Sequence, residues 1–538
     1  MLLSVFGFLI ILGPLVVIHE FGHYFFARIF GVKAEIFSIG FGPTLFRKQL
    51  GETELRVSAI PLGGYVKLLG EDREAELSPE LQKRALHRQA PWKRFFIFFG
   101  GPLFNFLFAI VLFMATLAIG DQQIGNVVGR VVQGSVAAKA GFESGDRVIS
   151  IDGKLIQKFE EIANAEAENP GKRLDFEVVH PGSAAPVHLT VMTSEQSGFS
   201  VYGEVTAVGD IDGLLPHPRA AQVGVSDPAS LAGKAGITTG DLITDLNGAP
   251  LPNWEILEAK FREAPVGTNF QLKLAHGKGS LNATLTKSEG GSDMGRLWGL
   301  HSSELFIDKA IDKSPAQVAG IRTGDRLIAV GPQRVLSFFE LKDAVQHSGE
   351  TAGKVDLSWE RDGKVMAASI VPTATTVRDP VLKKMTNFTV GIAPMLALAE
   401  PVTIIERTFN PLVLLYKGTE RMVVFSWRNF VSIRKMFTGD VSVATLGGPI
   451  LIGKIAGESL AHGLVAFLTA MAMFSIGLGV LNVLPIPVLD GGHLLLLGIE
   501  AIRRKPLTLR QMEIIQGVGL SLILLLMVVV MRNDLTRL

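Results

Sequence analysis

His19-Glu20-Phe21-Gly22-His23 sets two imidazoles four residues apart, on one face of a helix and close enough to share a metal ion. Glu20 stands beside that ion without ligating it, which suits a general base toward a water whose pKa the metal lowers. A catalytic zinc takes three protein ligands and keeps a fourth position for water, so a third ligand must come from elsewhere. The chain has no cysteine, which excludes thiolate ligands and disulfides and leaves His, Asp or Glu. The stretch Asn482-Val483-Leu484-Pro485-Ile486-Pro487-Val488-Leu489-Asp490-Gly491-Gly492-His493 offers two candidates. Asp490 is the expected ligand; His493, three residues on, competes by spacing and otherwise supports the site from behind the ligands or as a cap.

The elements that must position these residues are membrane helices. Four stretches, roughly 2–27, 95–119, 462–484 and 513–531, are apolar over the length of about 20 residues that a helix needs to cross a hydrocarbon core. An ionisable residue at mid-span costs about 2.5–3.5 kcal/mol unless paired or hydrated, so three within five positions of the first stretch are hard to explain as structure. The third stretch runs into two prolines and two glycines, and broken backbone at membrane depth is tolerated where it lines an enclosed or watery cavity. The first stretch lacks a basic leader and a small-residue cleavage pattern, so it is read as a retained helix and not a signal peptide. With 52 basic and 51 acidic residues the charge balance gives no reason to expect nucleic acid, while 48% hydrophobic residues point toward lipid.

Lysine and arginine collect over 28–94 and again at Arg503, Arg504, Lys505 and Arg510, which sets both segments on the cytoplasmic side. Four spans then place both termini and residues 120–460 on the far side, which in a Gram-negative bacterium with the protein multi-pass in its inner membrane is the periplasm. The region 120–460 repeats itself. Ala140-Gly141-Phe142-Glu143-Ser144-Gly145-Asp146, Ala235-Gly236-Ile237-Thr238-Thr239-Gly240-Asp241 and Ala319-Gly320-Ile321-Arg322-Thr323-Gly324-Asp325 share one pattern, each after a short helix-capable segment and before an alternating apolar strand. This pairing resembles PDZ domains, whose fold binds an extended peptide along a sheet edge; a bracing role for the membrane part is the plainer reading. Between 378 and 458 the pattern loosens into short apolar runs, expected as interfacial amphipathic helices or as packing against the third repeat.

HExxH in a first span together with NxxPxPxLDGGH in a later one resembles the site-2 protease family of intramembrane zinc metalloproteases. Gly40-Phe41-Gly42-Pro43, the segment from Leu55 to Lys67, and Gly101-Pro102-Leu103-Phe104-Asn105 extend that resemblance over nearly the whole chain. It implies a zinc metalloendopeptidase with one Zn2+ held by His19, His23 and Asp490, Glu20 as the catalytic group and Asn482 as a substrate contact. Pro485, Pro487, Gly63, Gly64 and Tyr65 are expected beside the substrate, with 53–60 and 65–70 forming a hairpin about Pro61-Leu62-Gly63-Gly64 that pairs with the unwound chain. The implied substrates are single-span membrane proteins: an anti-sigma factor already shortened on its periplasmic side, and remnant signal peptides. The chain departs from the family pattern in its three PDZ-like repeats, where two are usual, and in Gly477, where a second asparagine is common.

The expected architecture is a multi-spanning α-helical membrane protein with four transmembrane helices, inserted α+β PDZ domains and a membrane-associated β-hairpin. Its parts are spans one and two (1–119), PDZ-like repeats at 120–207, 208–290 and 291–377, an amphipathic linker (378–458) and spans three and four (459–538). A non-catalytic PDZ scaffold is the rival reading, and a zinc or proton transporter a third.

Overall fold

The computed structural model describes residues 2–71, 78–199, 205–379, 383–438, 446–505 and 507–536. They fall into two compact units, one within residues 2–122 and 405–536, the other within 123–199 and 205–404.

In the first unit, besides the single turn Pro79–Gln82, the helices are α1 (Leu2–Ile29), α2 (Pro91–Ile119), α3 (Pro411–Thr438), α4 (Pro449–Ala461), α5 (Leu464–Val483), α6 (Asp490–Arg503) and α7 (Leu509–Thr536). Among the described residues four segments are long and apolar enough to cross a membrane: Phe6–Ile29, Pro91–Ile119, Leu464–Val483 and Arg510–Thr536. Lipid is as apolar as leucine, so such helices associate through close packing at small residues. Gly22 of α1 and Gly100 of α2 meet in this way: a Cβ on Gly22 would collide with the Gly100 carbonyl, and one on Gly100 would lie 2.6 Å from Gly22 O. Ile11, Leu15, Ala109, Phe113, Ala472 and Ile476 then close a shared core between α1, α2 and α5.

Residues 411–438, expected as short interfacial pieces, form one continuous helix. Its Phe425 stacks on Phe113 of α2 at 5.9 Å, so the apolar runs separated by charge are successive turns of one stripe. The N-terminus of α4 is capped from α7: both carboxylate oxygens of Asp534 accept backbone N–H groups, from Gly448, Ile450 and Leu451, at 2.9–3.2 Å.

The hairpin differs from the sequence expectation. Its strands are β1 (Ala34–Leu50) and β2 (Thr53–Leu68), and the turn lies at Gly51-Glu52, with Leu50 opposite Thr53, not at 61–64. Gly51, at φ +64°, supplies the left-handed residue that the turn requires. Gly63 and Gly64 lie inside β2. Residues 36–39 have partners on both sides, Ser38 facing Tyr65 and also Arg56, so the pair folds back on itself into a broader sheet.

The second unit contains three like-built repeats. Each has a four-stranded antiparallel sheet in the same order: Lys154–Leu155, Arg147–Ile151, Arg173–Val179, Val187–Met192 in the first, with equivalents around Leu242–Leu246 and Arg326–Val330. The aspartates that end the shared motif explain its spacing. Asp146, Asp241 and Asp325 are buried, and each accepts the N–H three residues back, from Glu143, Thr238 and Arg322, at 2.8 Å. Each also meets a basic side chain from a neighbouring strand or its end: His180 at 2.7 Å, His276 at 2.8 Å, Arg361 at 2.6 Å.

The repeat cores run past the boundaries drawn at 207, 290 and 377. Ile211 and Leu214 belong to the first core, Trp298 and Leu300 to the second, Val390 to the third. The glycine motif marks the period of the repeat but not its phase, because the closing strand follows the last recognisable feature. One buried carboxylate joins all three repeats: Glu304 takes Arg130 Nη2 at 2.7 Å, Arg219 Nη1 at 3.5 Å and the Phe338 N–H at 3.0 Å.

Candidate metal centre

α1 carries His19 and His23 on one face, and their rings stand nearly perpendicular with centroids 4.9 Å apart. The Nε2 atoms are 3.3 Å from each other. Asp490, the first residue of α6, brings Oδ2 to 3.1 Å from His19 Nε2 and Oδ1 to 3.4 Å from His23 Nε2. Among the described residues this is the one cluster of three or more such side chains able to hold an ion. His493 is not in it: its ring stacks on Phe98 at 4.8 Å.

The spacing fits a tetrahedral ion. Nitrogen and oxygen ligands about 2.0–2.2 Å from a tetrahedral centre lie about 3.3–3.6 Å from one another, and the separations here are 3.1–3.4 Å. Hydrogen bonding agrees. His23 Nδ1 donates to Ile97 O at 2.8 Å, which leaves Nε2 as a bare lone pair facing the other ligands. Asp490 Oδ2 is buried and accepts no hydrogen bond, an acceptor without a donor in an apolar interior. A cation among these atoms satisfies all of them.

α2 makes the room. A Cβ on Gly101 would collide with His23 Nε2 and come within 2.7 Å of His19 Cε1. The connection from α5 to α6 is equally tight, since a Cβ on Gly492 would meet Pro487 Cα at 2.7 Å. Val488 in this connection has φ +84°, a costly conformation for a β-branched residue, of the order of 1–3 kcal/mol. That strain sits two residues before Asp490, where the chain must turn sharply to aim the carboxylate back at α1. Arg94 of α2 holds α6 in place through Glu500 at 3.1 Å.

The remaining expected residues divide. Gly64 lies against the site: a Cβ there would be 3.3 Å from Glu20 Cγ. Tyr65, its neighbour on β2, stacks on Phe41 at 6.2 Å, and Gly63 packs under the same Phe41 ring. Asn482 is buried near the end of α5, Pro485 is exposed and Pro487 contacts Gly519 of α7. The roles of Gly101, Asn105 and the Ile97 carbonyl escaped sequence reasoning. The signal available was one buried asparagine in an otherwise apolar span.

The profile of Peptidase family M50 matches residues 7–526. A protein of Pasteurella multocida (strain Pm70) named as a zinc metalloprotease is 30% identical, with 99% of this chain and 98% of that one covered. A similarly named protein of Neisseria meningitidis serogroup A is 31% identical, covering 97% of each. The regulator of sigma-E protease RseP of Escherichia coli (strain K12) is 28% identical over 99% of this chain and 98% of its own length. Among solved structures, a PDZ domain protein from Parabacteroides distasonis matches 50% of this chain and 95% of its own at 13% identity and a TM-score of 0.12, too slight a likeness to carry an argument.

Proposed function

The chain belongs to peptidase family M50, and from that premise we propose that His19, His23 and Asp490 hold its zinc and that Glu20 is the general base for cutting substrate helices in the membrane. The observation that carries this reading is the meeting of two Nε2 atoms and one carboxylate, 3.1–3.4 Å apart, inside a bundle of apolar helices. Zinc held there would supply a water of lowered pKa and a Lewis acid for a peptide carbonyl. Glu20, next to His19 and not among the ligand atoms, would take a proton from the water as its oxygen adds to the peptide carbonyl and give that proton to the amine nitrogen as the C–N bond breaks. Asp490, as the first residue of α6, keeps its negative charge at a helix N-terminus, which favours the ionised ligand form.

A membrane helix keeps its carbonyls in internal bonds, so the substrate must unwind locally before it can be cut. Among the described residues, 64–67 of β2 take strand partners from 36–39 and from no other segment, which leaves one flank for an extended chain beside Glu20. Asn482, Pro485 and Pro487 are the further substrate contacts in this reading.

The three repeats are PDZ modules on the periplasmic side that admit substrates already trimmed there. The substrates are membrane-anchored anti-sigma factors of a sigma-E type response, in keeping with the name of the Escherichia coli relative, and remnant signal peptides. Deleting 121–375 is expected to permit cutting of untrimmed substrate.

Cleavage of a single-span substrate in detergent by wild type and Glu20→Gln, with metal content measured on both, tests the central reading. The expected result is cutting by wild type alone, with about one zinc on each protein. Equal cutting by both, or wild-type activity without metal, overturns it.

A further inference from the structure

We infer that Asn105 fixes the tautomer of His19, its side-chain oxygen accepting the ring's Nδ1–H so that Nε2 meets the metal as a lone pair. The inference rests on the reading of His19 as a zinc ligand. Asn105 is completely shielded from solvent on α2. Its Nδ2 lies 3.1 Å from His19 Nδ1, and its Oδ1 has no hydrogen-bond partner.

Left so, the arrangement conflicts with itself twice. An amide N–H facing Nδ1 occupies that lone pair, and the proton of the neutral ring then sits on Nε2, aimed at the other two ligands. The carboxamide oxygen is meanwhile stranded in an apolar interior. The two ends of a carboxamide are nearly isosteric, and hydrogen-bond accounting decides which faces a neighbour. Turning the amide end for end removes the first conflict: Oδ1 accepts Nδ1–H, and His19 Nε2 faces His23 Nε2 and Asp490 as an acceptor, while the amide nitrogen takes the place the oxygen held.

His23 meets the same requirement with a backbone group, the Ile97 carbonyl. Both supports therefore come from α2, about two turns apart. Asn105 is itself held from α5, where Ser475 Oγ donates to its main-chain carbonyl at 2.8 Å. It touches the ligand and not the reacting atoms, which makes it a positioning residue. Such partners set ring orientation and ligand basicity.

Zinc affinity of the full-length protein in detergent, measured by competition with a chromophoric chelator, tests this for wild type, Asn105→Leu, Asn105→Asp and His23→Ala. The melting temperature of each metal-free protein is recorded beside it. Asn105→Leu is expected to bind zinc about 10–100-fold more weakly, while Asn105→Asp, which offers acceptors at both atoms, stays within about threefold of wild type. Normal affinity in Asn105→Leu, or equal weakness in both variants, overturns the acceptor role. If Asn105→Leu does not fold, Asn105→Asp alone decides: retained affinity supports the role and lost affinity overturns it. His23→Ala separates the two levels of the argument. If it binds zinc like wild type, the ligand set is wrong and the inference falls with it; if it loses zinc while Asn105→Leu does not, only the inference falls.

Discussion

Gly101 of α2 sits directly over His23 of α1, so close that a single methyl group on it would occupy the space beside the imidazole Nε2. Gly101→Ala should therefore push the ring off its position although alanine is the better helix former by about 1 kcal/mol. We expect a loss of cleavage of about 100-fold, the scale on which a misplacement of about 1 Å is felt, with an overpacking cost of about 1–3 kcal/mol that offsets the gain in helix propensity. Cleavage kinetics and a thermal melt on the same preparation check both halves.

A substrate lying along residues 64–67 must leave its helix, so sequences that unwind readily should be cut faster. Single-span substrates with Gly or Pro near the cut are expected to be cleaved at least about tenfold faster than a poly-Leu span, each such residue weakening a helix by about 1–3 kcal/mol. Equal rates on the two would remove the unwinding step from the scheme.

Glu304 has 2% side-chain exposure and Arg130 4%, so removing one partner leaves an uncompensated charge in the interior. Glu304→Ala should destabilise the second unit by about 3–5 kcal/mol, while Arg130→Met with Glu304→Met should recover much of the loss. Hydrogen exchange over 300–306 and 128–132 reports it. The membrane helices are expected to melt as before.

Glu166, on the helix Phe159–Ala167 of the first repeat, is buried, and one of its carboxylate oxygens has no partner. Burial, reinforced by the nearby Asp210, pushes its pKa up to about 8. The folded form then holds a proton that the unfolded chain releases near the ordinary value of 4.5. Stability from this group is complete below that value and is lost as pH rises toward about 8. Denaturation at pH 6 and pH 9 should show a weaker first repeat at the higher pH, and Glu166→Gln should remove the difference.

The meeting of His19, His23 and Asp490 was legible because its signals are short-range or chemically rare. The two histidines share a helix face by spacing alone, and an aspartate after a proline-broken span has few other reasons to be there. Helix lengths were legible for the same reason, one continuous apolar run per crossing. Where contacts cross between distant segments, the reading failed. The turn at Gly51-Glu52 lost to Pro61-Leu62-Gly63-Gly64 because two glycines in a row signal a turn, whereas here they let a strand pass Phe41 and Glu20. The continuous helix at 411–438 was hidden by charges that interrupt a linear scan but fall on one side of a helix. Asn105 carries its meaning only through the ring it faces.

His19 and His23 lie on α1 and Asp490 opens α6, with the entire second unit encoded between them. The order of synthesis thus acts as a safety catch. If His19, His23 and Asp490 are the ligands, a nascent chain would carry two of them and Glu20 long before the third is made, and so could not cut its neighbours during biogenesis. On the ligand set proposed above, hydrolytic competence would arrive only when the last quarter of the polypeptide is made and α6 docks against α1.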